Sequence, residues 1–93
     1  RYQITIEEEN TIISNMFSSL EPLKLKNLSP KEKKKIVILK KISSRFESER
    51  KYSEKEVNGI LEDIYDDFAT IRRSLIEYGF MDRTNDGKEY WLK

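Results

Sequence analysis

The sequence predicts a mainly helical domain closed by a small β-hairpin, and three observations carry that prediction. Apolar residues recur at helical spacing in four separate stretches. Helix-capping residues stand in front of those stretches. Near the end of the chain an Asp86-Gly87 pair separates two short runs that carry aromatic residues, which is the local signal of a hairpin turn.

The first helix opens at Thr5-Ile6-Glu7-Glu8, a capping box in which the Thr5 hydroxyl accepts from the Glu8 N–H while the Glu8 carboxylate reaches back. Ile12, Ile13, Met16, Phe17 and Leu20 follow at helical spacing and predict a helix from about Ile6 to Leu20. Packing on its own domain is the favoured use of this stripe. A dimer seam through Ile13, Met16, Phe17 and Leu20 is the competing one, although two turns of pattern are too short for a coiled coil. The stretch from Glu21 to Pro30 holds both prolines and reads as a connecting loop that tacks Leu23, Leu25 and Leu28 onto the core.

The second helix is expected to take Ser29 as its N-cap, Pro30 as its first residue and Glu32 as the reciprocal contact. It runs to about Phe46, with Ile36, Leu39, Ile42 and Phe46 on one face and Val37 and Ile38 widening it, so it should be central and well buried. Ser53-Glu54-Lys55-Glu56 is a second capping box, followed by Val57, Ile60, Leu61, Ile64 and Tyr65 as the stripe of a third helix. Asp66 is expected to cap a fourth helix striped by Phe68, Ile71, Leu75 and Tyr78. Gly79 ends it, because glycine reaches the left-handed conformation without Cβ strain, and Phe80 folds back on Ile76. Met81–Arg83 and Glu89–Leu92 then form a hairpin around Thr84–Lys88.

With 93 residues, 37% of them hydrophobic, the chain suits one small core. Residues 1–28 read as an N-terminal helix and linker, and residues 29–93 as the domain proper. The opening "RYQI" alternates like the end of a strand, so a fragment of a longer protein is expected. The absence of cysteine excludes disulfides and thiolate chemistry, and the absence of histidine removes the commonest general base and metal ligand. No metal or cofactor is expected. No stretch approaches the roughly 20 apolar residues that span a bilayer, which predicts a cytoplasmic protein with no membrane partner. The sequence has no glycine-rich phosphate loop and no serine elbow. The paired acids Glu62-Asp63 and Asp66-Asp67 point about 100° apart on a helix. An enzyme is not expected.

Net charge is only +1, yet residues 24–51 hold eleven basic and three acidic side chains between two acidic ends. Three helices followed by a hairpin is the order of a winged helix-turn-helix, with the fourth helix as recognition helix and the hairpin as wing. On that fold the candidate nucleic-acid contacts are Arg72, Arg73, Arg83 and Lys88, together with Lys31, Lys33, Lys34 and Lys35. The competing expectation pairs Arg72 and Arg83 with Glu62, Asp66 or Asp82, and leaves the lysines solvated or turned toward acids such as Glu62, Asp63, Asp66 and Asp67. Asp66 and Asp67 at the start of the recognition helix, and Glu77 on its exposed face, speak against DNA. For Tyr78, Phe80, Tyr90 and Trp91, core packing is favoured over base stacking.

The segments "KEKKKIVILKKISSRFESERKYSEKEVNGIL" (Lys31 to Leu61) and "DDFATIRRSLIEYGFMDRTNDGKEYW" (Asp66 to Trp91) resemble a bacterial family catalogued as domain of unknown function 2087. The positions that match its pattern are Tyr52, Ser53, Glu54, Glu56, Val57, Asn58, Asp67, Ala69, Ile71, Arg72, Arg73, Tyr78, Gly79, Arg83, Gly87 and Tyr90. Isoleucine at position 71 and Phe80-Met81 depart mildly from it. The resemblance implies a winged-helix-like fold, found alone or attached to the DNA-binding domains of bacterial transcription regulators. The expected function is therefore a non-enzymatic domain of such a regulator that binds double-stranded DNA or supports a neighbour that does. The alternative is a protein-interaction or homodimerisation module.

Overall fold

The computed structural model describes residues 3–93; the first half of the strand-like "RYQI" opening, Arg1 and Tyr2, lies outside the described residues. The elements in order are α1 (Ile6–Met16), β1 (Phe17–Leu20), β2 (Leu23–Leu25), α2 (Glu32–Ser43), α3 (Glu54–Glu62), α4 (Phe68–Glu77), β3 (Met81–Arg83) and β4 (Tyr90–Leu92). The architecture is mostly helical with two small antiparallel strand pairs. No helix among the described residues is long and apolar enough to cross a membrane.

The Thr5 capping box forms as expected, Glu8 N donating to Thr5 Oγ1 at 3.0 Å and Thr5 N to Glu8 Oε1 at 3.2 Å. The helix does not reach Leu20. It stops at Met16, and Phe17–Leu20 become β1, paired antiparallel with β2 so that Phe17 faces Leu25 and Leu20 faces Leu23. The reason is burial: as a strand this segment sends Phe17 inward beside Leu23 and Leu25, while Leu20 stays 47% exposed. The expected loop from Glu21 to Pro30 is thus a strand in its first half, bonded onward by Leu25 N to Ile64 O at 2.9 Å. Phe17, Leu23 and Leu25 belong to the same hydrophobic cluster as the residues of α2, α3 and α4, so the segment placed at 1–28 shares its core with the rest.

Helix α2 begins one turn's fraction later than expected. Its N-cap position is Lys31, which makes no side-chain cap, and Ser29 Oγ instead accepts from Lys31 N at 3.1 Å in the turn before the helix. Its end is at Ser43, with Phe46 carried on a tighter turn through Phe46 N to Ser43 O. Ile38, Leu39 and Ile42 are fully buried, which makes α2 the central helix, whereas Ile36 is only half-buried.

Between α2 and α3, Glu49 holds a left-handed backbone with φ +59°. Tyr52 then makes an isolated antiparallel bridge to Tyr90, each N–H donating to the other's carbonyl at 2.8 Å. The bridge ties the chain ahead of α3 to the last strand, a contact the sequence reading did not anticipate. The Ser53 capping box on α3 forms in both directions, and Val57 and Leu61 are fully buried.

Asp67, not Asp66, caps α4: its carboxylate accepts from Thr70 N at 3.3 Å and from Thr70 Oγ1 at 2.8 Å, and Asp66 is left exposed. Gly79 ends α4 at φ +79° as expected, with Phe80 N donating to Leu75 O and Gly79 N to Ile76 O, the paired bonds of a Schellman cap. β3 and β4 pair in the register Met81↔Leu92, Asp82↔Trp91 and Arg83↔Tyr90. The loop between them is longer than a two-residue Asp-Gly turn and is closed by Thr84 N to Glu89 O at 3.0 Å, with Gly87 at φ +73°.

Candidate functional site

The Schellman cap turns the chain so that the β3–β4 loop returns beside α4, and a cleft of about 510 Å³ lies between them. Arg72, Arg73 and Ile76 of α4, Glu54 of α3, and Arg83 and Asp86 of the hairpin line it, with Glu77, Gly87 and Tyr90 completing the wall. The cleft thus gathers three of the sequence-predicted arginines, which come from two elements.

Each of these guanidiniums is oriented by a neutral acceptor. Arg72 Nη1 donates to Asn58 Oδ1 on α3. Arg73 Nη2 donates to Thr70 Oγ1 at 3.3 Å, and Arg83 Nη1 donates to the carbonyls of Thr84 at 3.1 Å and Asn85 at 3.4 Å. Among the described residues none of the three forms an ion pair, which sets aside the expected pairings with Glu62, Asp66 and Asp82. The contrast within the chain is direct: Arg45 pairs with Glu21 at 3.1 Å, and Arg50 with Glu47 and Glu56 at 3.4 Å. A neutral acceptor fixes direction without pairing the charge, so each guanidinium keeps donors free for another anion.

Two carboxylates of the cleft have structural work. Glu54 Oε1 accepts from Tyr90 Oη at 3.0 Å, and Asp86 Oδ1 accepts from Thr84 Oγ1 at 2.6 Å and Lys88 N at 3.0 Å. The Thr84 hydroxyl, with help from the Lys88 N–H, holds the Asp86 carboxyl below its ordinary range. Burial, and then the bond to Glu54, push the Tyr90 phenol up. A phenol that holds its proton more tightly folded than unfolded stabilises the fold below about pH 10 and loses that contribution as pH rises through its raised value. Unfolding followed across alkaline pH should therefore show a decline in stability that Tyr90→Phe reduces, and a variant as pH-sensitive as the parent would contradict it.

The lysine run lies elsewhere. Lys33 Nζ meets Glu8 Oε2 at 2.5 Å, Lys40 Nζ meets Glu9 Oε2 at 3.2 Å, and Lys35 Nζ sits 5.7 Å from the centre of the Tyr78 ring. Lys33 of the run and Lys40 beyond it pair with carboxylates of α1, not with Glu62, Asp63, Asp66 or Asp67, the partners of the competing expectation, and the Lys33 bond holds the Glu8 carboxyl below its ordinary range. Lys31, Lys33 and Lys34 line a separate groove of about 440 Å³ between α1 and α2. None of the run reaches the arginine cleft. Lys88 is exposed on the β3–β4 loop.

The acids read as opposing DNA, Asp66 and Asp67 at the turn into α4 and Glu77 on α4, are all exposed, and Glu62 and Asp63 are exposed beside that turn. The seam residues do not form one outward face. Phe17 is buried, Ile13 and Met16 pack half-buried against the core, and Leu20 sits on the far end of β1. Of the aromatics, Tyr90 is core, while Trp91 is half-buried with Lys51 Nζ 5.2 Å from its ring centre.

Asn58, although among the positions that match the family pattern, and Thr70 were given no role by sequence reasoning, because their roles depend on how α3 and α4 pack and on the direction of one rotamer.

No curated protein and no solved structure matches the chain. Residues 24–92, from the middle of β2 to the last residue of β4, match a family described as an uncharacterized protein conserved in bacteria; α1, β1 and Leu23 lie outside the match. The match spans nearly three-quarters of the chain and includes every arginine of the cleft, so the chain belongs to the bacterial domain of unknown function 2087 family.

Proposed function

We propose that this chain is a non-enzymatic winged-helix domain of a bacterial transcription regulator, and that it binds duplex DNA through α4 and the β3–β4 hairpin. The connectivity supports the fold: α2, the Tyr52 bridge, α3, α4, β3, a loop and β4, with the bridge joining the last strand. The observation that carries the function is the set of three guanidiniums held in place by neutral acceptors on the face these elements share. Guanidiniums so fixed meet phosphate oxygens at little ordering cost, since their rotamers are already restricted. Lys88 adds a fourth cation from the loop.

Fluorescence anisotropy with a labelled random duplex at low and moderate salt tests this. Four neutralised phosphates give a log-log salt slope of about −3.6. Arg73→Ala with Lys88→Ala should bind more weakly and with a slope shallower by about 2. No binding by the parent chain at low salt would overturn the reading.

A further inference from the structure

We infer that the cleft between α4 and the β3–β4 loop seats one phosphodiester group of the duplex backbone, so that α4 grips the backbone and does not read bases. The inference rests on the duplex-binding reading and adds where and how the duplex is held.

Two features of the site lead there. First, the end of α4 that a recognition helix normally inserts into the major groove is closed to a polyanion. Glu62, Asp63, Asp66 and Asp67 are all exposed around it, and B-DNA presents about one negative charge per 1.7 Å of axis. The attractive surface is farther along the helix, where Arg72, Arg73 and Ile76 face the loop.

Second, one Nη of each arginine is already committed: Arg72 to Asn58, Arg73 to Thr70, Arg83 to two loop carbonyls. The end-on fork that recognises guanine O6 and N7 uses both Nη atoms of one arginine. Each of the three is thus turned by a bond to the protein, and its remaining N–H groups suit separate oxygens of one tetrahedral anion shared among them.

The lining also selects among phosphates. Three guanidiniums share the cleft with the carboxylates of Glu54, Asp86 and Glu77, so it is not strongly positive overall. A monoanionic phosphodiester is repelled less by those carboxylates than a dianionic free phosphate is.

The full chain should be titrated by anisotropy against three labelled duplexes, one of random sequence, one of A·T pairs only and one of G·C pairs only. The parent chain is expected to bind all three within about threefold, as backbone contacts carry no direct sequence information. Arg73→Ala should weaken all three by a common factor of about tenfold, the size of one lost charged hydrogen bond, and should reduce the salt slope by about 1. Asn58→Ala, which leaves net charge unchanged, should weaken all three alike through loss of Arg72 positioning, with thermal unfolding by circular dichroism reporting whether each variant is folded.

If Arg73→Ala removes a preference for one duplex while sparing the others, α4 reads bases and the inference fails while duplex binding stands. If the parent binds but the salt slopes of Arg73→Ala and Arg83→Ala are unchanged, the phosphate is held elsewhere. Competition by inorganic phosphate beyond that of chloride at matched ionic strength would identify a free-phosphate site instead. Absence of binding to any duplex would remove both readings.

Discussion

Leu75→Ala is expected to lower the stability of the fold by about 2–5 kcal/mol, read as a lower midpoint of urea-induced unfolding with little change in slope. Leu75 is fully buried on α4, the helix that packs against α2, α3 and β3. Removing its side chain takes away both the transfer free energy and the contacts around the space left behind, and three rigid neighbours limit how far that space can close. Domains of this size hold only about 5–15 kcal/mol in total, so the variant should unfold at a temperature lower by about 8 °C or more, at roughly 4–8 °C per kcal/mol. Leu20→Ala, at a site 47% exposed, is the control and should change stability by less than about 1 kcal/mol. Equal losses at the two positions would mean that Leu75 is not in the core.

Tyr52→Ala should be comparably damaging, at about 3–5 kcal/mol, by a different route. The Tyr52 ring packs edge-on to Phe46 with centroids 5.2 Å apart and an interplanar angle of 82°, and the Arg50 guanidinium lies 4.4 Å from its centre. Its hydroxyl accepts from Glu47 N at 2.7 Å, which closes the link between α2 and α3. The ring therefore anchors the backbone that bridges to Tyr90. Beyond the loss in unfolding free energy, amide hydrogen exchange at Tyr52 and Tyr90 should accelerate more than exchange in α2, because the bridge opens locally before the whole fold does. Tyr52→Phe keeps the ring and loses only the acceptor, and should cost about 1 kcal/mol. Unchanged protection at Tyr90 in Tyr52→Ala would show that the bridge holds without its side chain.

The features legible in the sequence are those decided within a few residues. Thr5 and Ser53 each find their acid three positions on, Gly79 supplies a conformation other residues resist, and the runs around Asp86-Gly87 pair as a hairpin. β1 escaped because Phe17 and Leu20 are spaced three apart, which fits one face of a helix as well as the ends of a short strand. Only the pairing with Leu23 and Leu25, made after the chain turns back, decides between them. A one-residue strand such as Tyr52 has no period to detect. The three arginines of the cleft were visible as residues, but the neutral partners that orient them were not. Asn58 and Arg72 meet across two helices, fourteen positions apart, and the Lys33–Glu8 contact that draws a lysine toward α1 spans twenty-five.

The insertion of Phe17, Leu23 and Leu25 among the side chains of α2 and α3 sets the length of the unit that folds. It is longer than the stretch shared with relatives, which starts at residue 24. A piece trimmed to that shared stretch would keep Leu25 but lose Phe17 and Leu23, leaving an oily slot open to water and prone to self-association. Recombinant work on this chain should take its boundary from the buried side chains of the first hairpin, ahead of the point where sequence kinship begins.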